Sequence, residues 1–172
     1  GAPKLGKSFM MAQLAYHVGT GTPLWGLPVK KSKVLYLALE DTYKRLQDRL
    51  YRMFGTEGTD NVFFSVSAGK LGEGLDEQLT QFMKEQPDTK LIIIDTLQKV
   101  RETGGENYSY ASDYQIITRL KSFADANGVC IIIVHHTRKQ QSNDKFDSIS
   151  GTNGLLGAAD GAFILTKEKR TS

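Results

Sequence analysis

Short, continuous runs of apolar residues alternate along this chain with longer stretches in which apolar residues recur every three or four positions. Val34-Leu35-Tyr36-Leu37-Ala38-Leu39 and Leu91-Ile92-Ile93-Ile94, the latter closed by Asp95, are bounded by polar or charged residues, as strands buried on both faces are. Val129 to Val134 is a third such run, Val62-Phe63-Phe64-Ser65-Val66 is rich in β-formers, and Gly161-Ala162-Phe163-Ile164-Leu165 is the last strand the pattern predicts. The intervening stretches read as helices. The first runs from about Lys7 to Val18 and ends in the turn-rich Gly19-Thr20-Gly21-Thr22-Pro23. Thr42 to Phe54 carries Tyr43, Leu46, Leu50 and Phe54 at helical spacing and stops at Gly55, while Leu75 to Met83 is amphipathic with a stop at Pro87. Ala111 to Ala126 turns Ile116, Ile117, Leu120 and Phe123 inward and ends at Asn127-Gly128.

Apolar strands separated by helices predict an α/β fold: a mainly parallel sheet with helices on both faces and right-handed crossovers. Two long loops, Thr96 to Tyr110 and His136 to Gly151, follow strand C-termini, where ligands bind in open α/β sheets. Loops of that length are uncommon unless they are functional or mobile.

A length of 172 residues corresponds to a single domain, 1–172, and 40% hydrophobic with 24% charged residues indicates a soluble globular chain. The net charge of +3 is too small to argue for nucleic acid by itself. Cys130, inside the run Val129 to Val134, reads as a buried core thiol, and a lone cysteine excludes disulfides within the chain. There is no apolar stretch of membrane-spanning length and no signal-peptide pattern, so the expectation is a cytoplasmic protein without a membrane partner.

The chemistry is concentrated at the ends of these elements. Gly1-Ala2-Pro3-Lys4-Leu5-Gly6-Lys7-Ser8 is a complete G-x-x-x-x-G-K-S phosphate-binding loop. Its glycines let backbone N–H groups turn inward around phosphate oxygens, Lys7 brings a point charge to the β and γ phosphates, and the Ser8 hydroxyl ligates Mg²⁺. Phe9 begins the helix whose N-terminal dipole faces the same anion. Asp95 is delivered by a buried strand to the edge beside this loop, where it holds Mg²⁺ through water or through Ser8.

Glu40 ends an earlier strand, and nucleotide hydrolysis needs a group that activates water. Thr96 follows Asp95, so no second acid stands there and Glu40 is the natural candidate, with Asp41 as its neighbour. The structural alternative is that Glu40, Asp41 and Thr42 cap the next helix, a role that suits Asp41 or Thr42 better. In His135-His136-Thr137-Arg138-Lys139, adjacent histidines on an extended chain face opposite ways and make a poor metal pair. His136 is read as a sensor of the γ-phosphate and His135 as structural. Arg138, Lys139, Gln140, Gln141, Asn143 and Lys145 suit a nucleic-acid backbone, and equally a solvated loop. Trp25 reads as a hydrophobic staple over the preceding helix rather than a base-stacking group, and Tyr108, Tyr110 and Tyr114 as core or rim packing.

Taken together, these segments resemble the RepA-type branch of the RecA-like ATPases, the plasmid hexameric helicases and similar ATPases of phages and mobile elements. The matching residues are the Gly1 to Ser8 loop, Val34 to Asp41, Leu91 to Leu97, Ile133 to Lys139 and Ser150 to Asp160, in family order. The resemblance implies a RecA-like P-loop domain with ATP and Mg²⁺ bound between subunits of a homo-oligomeric ring, a hexamer in the full-length protein. It implies that Glu40 activates water, that the histidine motif couples nucleotide state to single-stranded DNA, and that the loop 137–150 faces the central channel. Basic residues past the last strand act in trans on a neighbour's γ-phosphate in the wider class. Lys169 and Arg170 fall there, with Arg170 as the candidate finger, although Glu168 breaks the usual Lys-x-Arg spacing.

No strand precedes Gly1 to carry the loop, and the sequence stops soon after Arg170, so a fragment with an open sheet edge is expected. The function this implies is a DNA helicase or translocase motor. A recombination-mediator ATPase and a regulatory ATP switch acting on protein partners are the alternatives.

Overall fold

A computed structural model of the chain describes residues 5–101, 110–136 and 153–167, with the side chains of 110–112 and 153–154 excepted. Four strands form one parallel sheet: β1 (Lys33–Ala38), β2 (Val62–Ser65), β3 (Thr89–Asp95) and β4 (Cys130–Val134), in the order β2-β1-β3-β4. The register pairs Tyr36 with Ile93, Ala38 with Asp95, and Asp95 with Val134, which brings the C-terminal ends of β1, β3 and β4 to one edge.

Because side chains alternate along a strand, the sheet feeds two apolar cores. Val34, Tyr36, Ala38, Leu91, Ile93 and Val134 pack with α1 (Lys7–Thr20) and α2 (Tyr43–Phe54), which contribute Met11, Ala12, Ala15 and Leu46. On the opposite face Leu35, Leu37, Ile92 and Ile94 meet α3 (Leu75–Glu85), the single turn α4 (Leu97–Val100), α5 (Tyr110–Asn127) and α6 (Asn153–Ala158). Burial of both sheet faces is what the unbroken apolar runs of β1 and β3 require.

Gly19 is one place where the backbone itself fixes the packing. A Cβ there would stand 2.6 Å from Val62 Cγ2, so a side chain would force α1 away from β2. Tyr16 and Phe54 stack at 3.7 Å between ring centroids and tie α1 to the end of α2.

Several expectations are corrected. Residues 161–165 form no strand: the run has no ladder partner among the described residues, and Phe163 is 96% exposed. β-propensity without a neighbouring strand does not hold a strand. Cys130 is exposed rather than buried, because it begins β4, which pairs only with β3 in the described sheet. Trp25 is no staple. Leu24 and Leu27 exchange backbone hydrogen bonds of 3.0 and 2.9 Å, and the two residues between them, Trp25 and Gly26, take positive φ of 52° and 76°. Such a two-residue turn throws its first residue outward, so Trp25 is exposed while Leu24 is buried. The long loop after Asp95 opens with α4. Tyr114 lies at the rim, 43% exposed on α5, while Tyr108 and the Tyr110 side chain lie outside the described residues.

Candidate active site

Gly6 adopts a left-handed conformation, φ 86°, and its carbonyl accepts from the Met10 N–H at 3.0 Å, so the chain turns directly into α1. That turn sets Ser8 in the first turn of α1 against the end of β3. Ser8 Oγ donates to Asp95 Oδ2 at 2.6 Å. The same oxygen accepts from Tyr36 Oη at 2.9 Å, and Tyr36 is fully buried on β1. Burial first, and then the neighbouring charge of Asp95, drive the phenol's pKa far up, so Tyr36 remains a proton donor.

Glu40 lies beyond the end of β1 in a turn closed by the Asp41 N–H donating to the Ala38 carbonyl at 3.2 Å. Its backbone carbonyl accepts from Arg45 Nη2 at 3.1 Å. Its carboxylate reaches across to the next strand, where Oε1 accepts from Thr96 Oγ1 at 3.0 Å, and Oε2 lies 4.0 Å from His136 Nε2. The helix cap is Thr42, whose Oγ1 accepts from the Arg45 N–H at 3.3 Å. Asp41 pairs with Arg45 at 3.1 Å and Arg49 at 2.8 Å. The structural duties at this helix start fall on Thr42 and Asp41, and Glu40 faces the ends of β3 and β4.

The electrostatics draw Lys7 and His136 into the same neighbourhood. Burial lowers the Lys7 ammonium pKa, opposed by the charges of Asp95 and then Glu40. The His136 imidazole is lowered first by burial and then by Lys7, with Glu40 opposing, so the ring is neutral at pH 7. At 4.0 Å the His136–Glu40 contact is therefore not an ion pair at that pH. Beside this cluster, Phe9 is half exposed with the Arg49 guanidinium 5.1 Å over its ring. A cleft of about 470 Å³ opens there, lined by Leu5, Gly6, Phe9, Met10, Met53 and Leu165 among others.

Leu5, Gly6, Lys7, Ser8, Phe9, Glu40, Asp95 and His136 thus lie at one edge of the sheet. Gly1, Ala2, Pro3, Lys4, Lys169, Arg170 and the loop 137–150 lie outside the described residues. Sequence reasoning passes over Tyr36, Thr96 and Arg49. A hydroxyl inside the apolar run of β1 and a threonine directly after Asp95 are the available signals.

Among the described residues no group of three His, Cys, Asp or Glu side chains is disposed to cage a metal. The pair that is present, a serine hydroxyl hydrogen-bonded to a carboxylate, fits Mg²⁺, which keeps several waters and takes phosphate oxygens rather than a full protein cage.

Residues 1–142 match the family model described as AAA domain, well over half of the chain. The chain belongs to the AAA domain family. Two solved structures share its fold. One, an ATPase domain, matches with a TM-score of 0.71 at 19% identity over 92% of this chain and 64% of its own length. The other, a DnaB-like replicative helicase solved with its interactions with primase, matches with a TM-score of 0.69 at 19% identity over 92% of this chain and 45% of its own. This AAA domain therefore has the RecA-like P-loop fold and spans less than two thirds of either of those chains. No curated protein matches the chain. Among the described residues no helix is long and apolar enough to cross a membrane.

Proposed function

We propose that this AAA domain is an ATP-hydrolysing motor that drives movement on single-stranded DNA, as part of a RepA-type helicase of a plasmid, phage or mobile element. The observation that carries the reading is the convergence of two carboxylates with separate partners at one sheet edge. Asp95 is bonded to the Ser8 hydroxyl, and Glu40 is held by Thr96. A P-loop NTPase separates the acid that holds the metal from the group that positions the attacking water, and these two carboxylates can fill the two roles.

In this reading Lys7 and Ser8, with the backbone of Gly1 to Gly6, hold the β and γ phosphates of ATP. The half-exposed Phe9 and the adjoining open cleft suit the base. Ser8 and Asp95 hold Mg²⁺, which when bound neutralises charge on the phosphate oxygens. Glu40 orients the attacking water and accepts its proton, and Thr96 fixes the carboxylate in the required rotamer. His136, just past the end of β4 and 4.0 Å from Glu40, passes the state of the γ-phosphate to the loop 137–150, which meets the DNA. Arg170 acts on the site of the next subunit in a homo-hexameric ring. The fold shared with the DnaB-like replicative helicase supports the helicase assignment.

Glu40→Gln is expected to bind ATP as tightly as the wild type while turnover falls by about a hundredfold or more. Lys7→Ala is expected to lose both. Wild-type turnover in Glu40→Gln would overturn the assignment of the base. ATPase activity indifferent to single-stranded DNA in the full-length protein would overturn the DNA motor in favour of a regulatory switch. Stimulation by DNA without strand separation on a forked substrate would favour a recombination mediator.

A further inference from the structure

Tyr36 brings a polar tip into the core between the sheet and α1. It is fully buried, its ring packs 5.6 Å from that of Phe64, and its hydroxyl ends on Asp95 Oδ2 at 2.9 Å, with the Ser8 carbonyl farther off at 3.4 Å. A phenol has one proton to give, and the shorter contact takes it. The register explains the reach: Ala38 lies directly opposite Asp95, and Tyr36 stands two residues earlier on the same face of the same strand. The small Ala38 side chain leaves the diagonal open to a long aromatic one. A phenylalanine would fill this core equally well. The hydroxyl adds only the bond to Asp95, at the cost of burying a polar group.

We propose that Tyr36 is a positioning residue for the metal-holding carboxylate: its hydroxyl fixes the rotamer of Asp95 so that, together with Ser8, the carboxylate meets nucleotide-bound Mg²⁺ without rearranging. The proposal rests on the ATPase reading above. Ser8 and Tyr36 approach the same oxygen from different elements, α1 and β1. Asp95 is therefore held from two directions even while the Ser8 oxygen is engaged by a cation.

The test uses the full-length protein and a fluorescent, non-hydrolysable ATP analogue, titrated with MgCl₂ after removal of divalent ions. The wild type is expected to show Mg²⁺-dependent tightening, and its absence would sink the ATPase reading and this proposal with it. Given that dependence, Tyr36→Phe is expected to bind the analogue normally without metal and to need about five- to tenfold more Mg²⁺ to reach half-maximal tightening. Its ATPase activity is then restored at high Mg²⁺. In the Asp95→Asn background, Tyr36→Phe should add nothing. An unchanged Mg²⁺ midpoint in Tyr36→Phe, equal weakening with and without metal, or a further loss on top of Asp95→Asn would overturn the proposal. So would loss of the folded circular-dichroism spectrum, which would make the hydroxyl a folding device.

Discussion

Ser8 Oγ donates to Asp95 Oδ2 over 2.6 Å and joins the first turn of α1 to the C-terminal end of β3 across 87 positions of sequence. The start of α1 and the acid that ends β3 are thereby parts of one hydrogen-bonded unit. Ser8→Ala removes the link and, in the proposed site, the hydroxyl that would ligate Mg²⁺. Nucleotide affinity in the presence of Mg²⁺ is expected to fall by about tenfold, with little change in the absence of metal. Calorimetric titrations with and without MgCl₂ check this, and equal losses under both conditions would count against a metal role.

Thr96 meets Glu40 as Tyr36 meets Asp95, through a hydroxyl that donates to one carboxylate oxygen. It is buried, and its hydroxyl holds Glu40 Oε1 at 3.0 Å. Thr96→Val keeps the shape and deletes the donor. Its kcat is expected to fall by about tenfold or more with KM for ATP nearly unchanged, since misplacing a reacting group costs rate rather than substrate affinity. Thr96→Ser should recover most of the rate, and steady-state kinetics on the two variants decide the point.

These two hydroxyls also mark the limit of what the sequence discloses. Leu91 to Asp95 and Val34 to Leu39 are legible as strands because burial on both faces demands unbroken apolar runs. Asp95 and Glu40 stand out as candidates because they close or directly follow those runs, and Gly1 to Ser8 stands out by its own residue pattern. Tyr36 is not, because a tyrosine in Val34-Leu35-Tyr36-Leu37 reads as one more β-former until the register sets it diagonally from Asp95. Cys130 fails for a related reason: an apolar run gives the strand but not whether it lies at an edge of the sheet. Residues 161–165 have strand composition, yet a strand exists only with a partner, and the described residues supply none. Trp25 departs from its expected place because its exposure follows from a tight turn rather than from helical spacing.

Arg101 and Asp113 flank the segment 102–109 and meet at 2.7 Å, with the carboxylate almost wholly buried and the guanidinium 11% exposed. A pair this dry is costly to break, because removing one partner strands the other's charge away from water. Asp113→Ala is expected to lower unfolding free energy by about 3 kcal/mol. The double variant Arg101→Met, Asp113→Leu should cost less than the Arg101→Met and Asp113→Leu losses added together. Urea denaturation of all the variants measures the coupling, and strictly additive losses would show that the contact is not energetically special.

His136 gives the fold a pH dependence whose sign follows from its surroundings. Burial and the nearby charge of Lys7 hold its pKa below the ordinary 6.5, with Glu40 opposing. In the unfolded chain the same imidazole titrates near that ordinary value, so just below pH 6.5 the unfolded state binds more protons than the folded one. Stability rises with pH wherever that holds. The contribution is therefore complete above about pH 6.5 and is lost as the pH falls toward the lowered folded-state value. His136→Gln keeps a polar side chain there and removes the titration. Unfolding free energies at about pH 7.5 and about pH 5.5 should differ less for this variant than for the wild type. An equal or larger drop in His136→Gln would show that the acid sensitivity comes from other groups, and that the imidazole is not held neutral by Lys7 and burial.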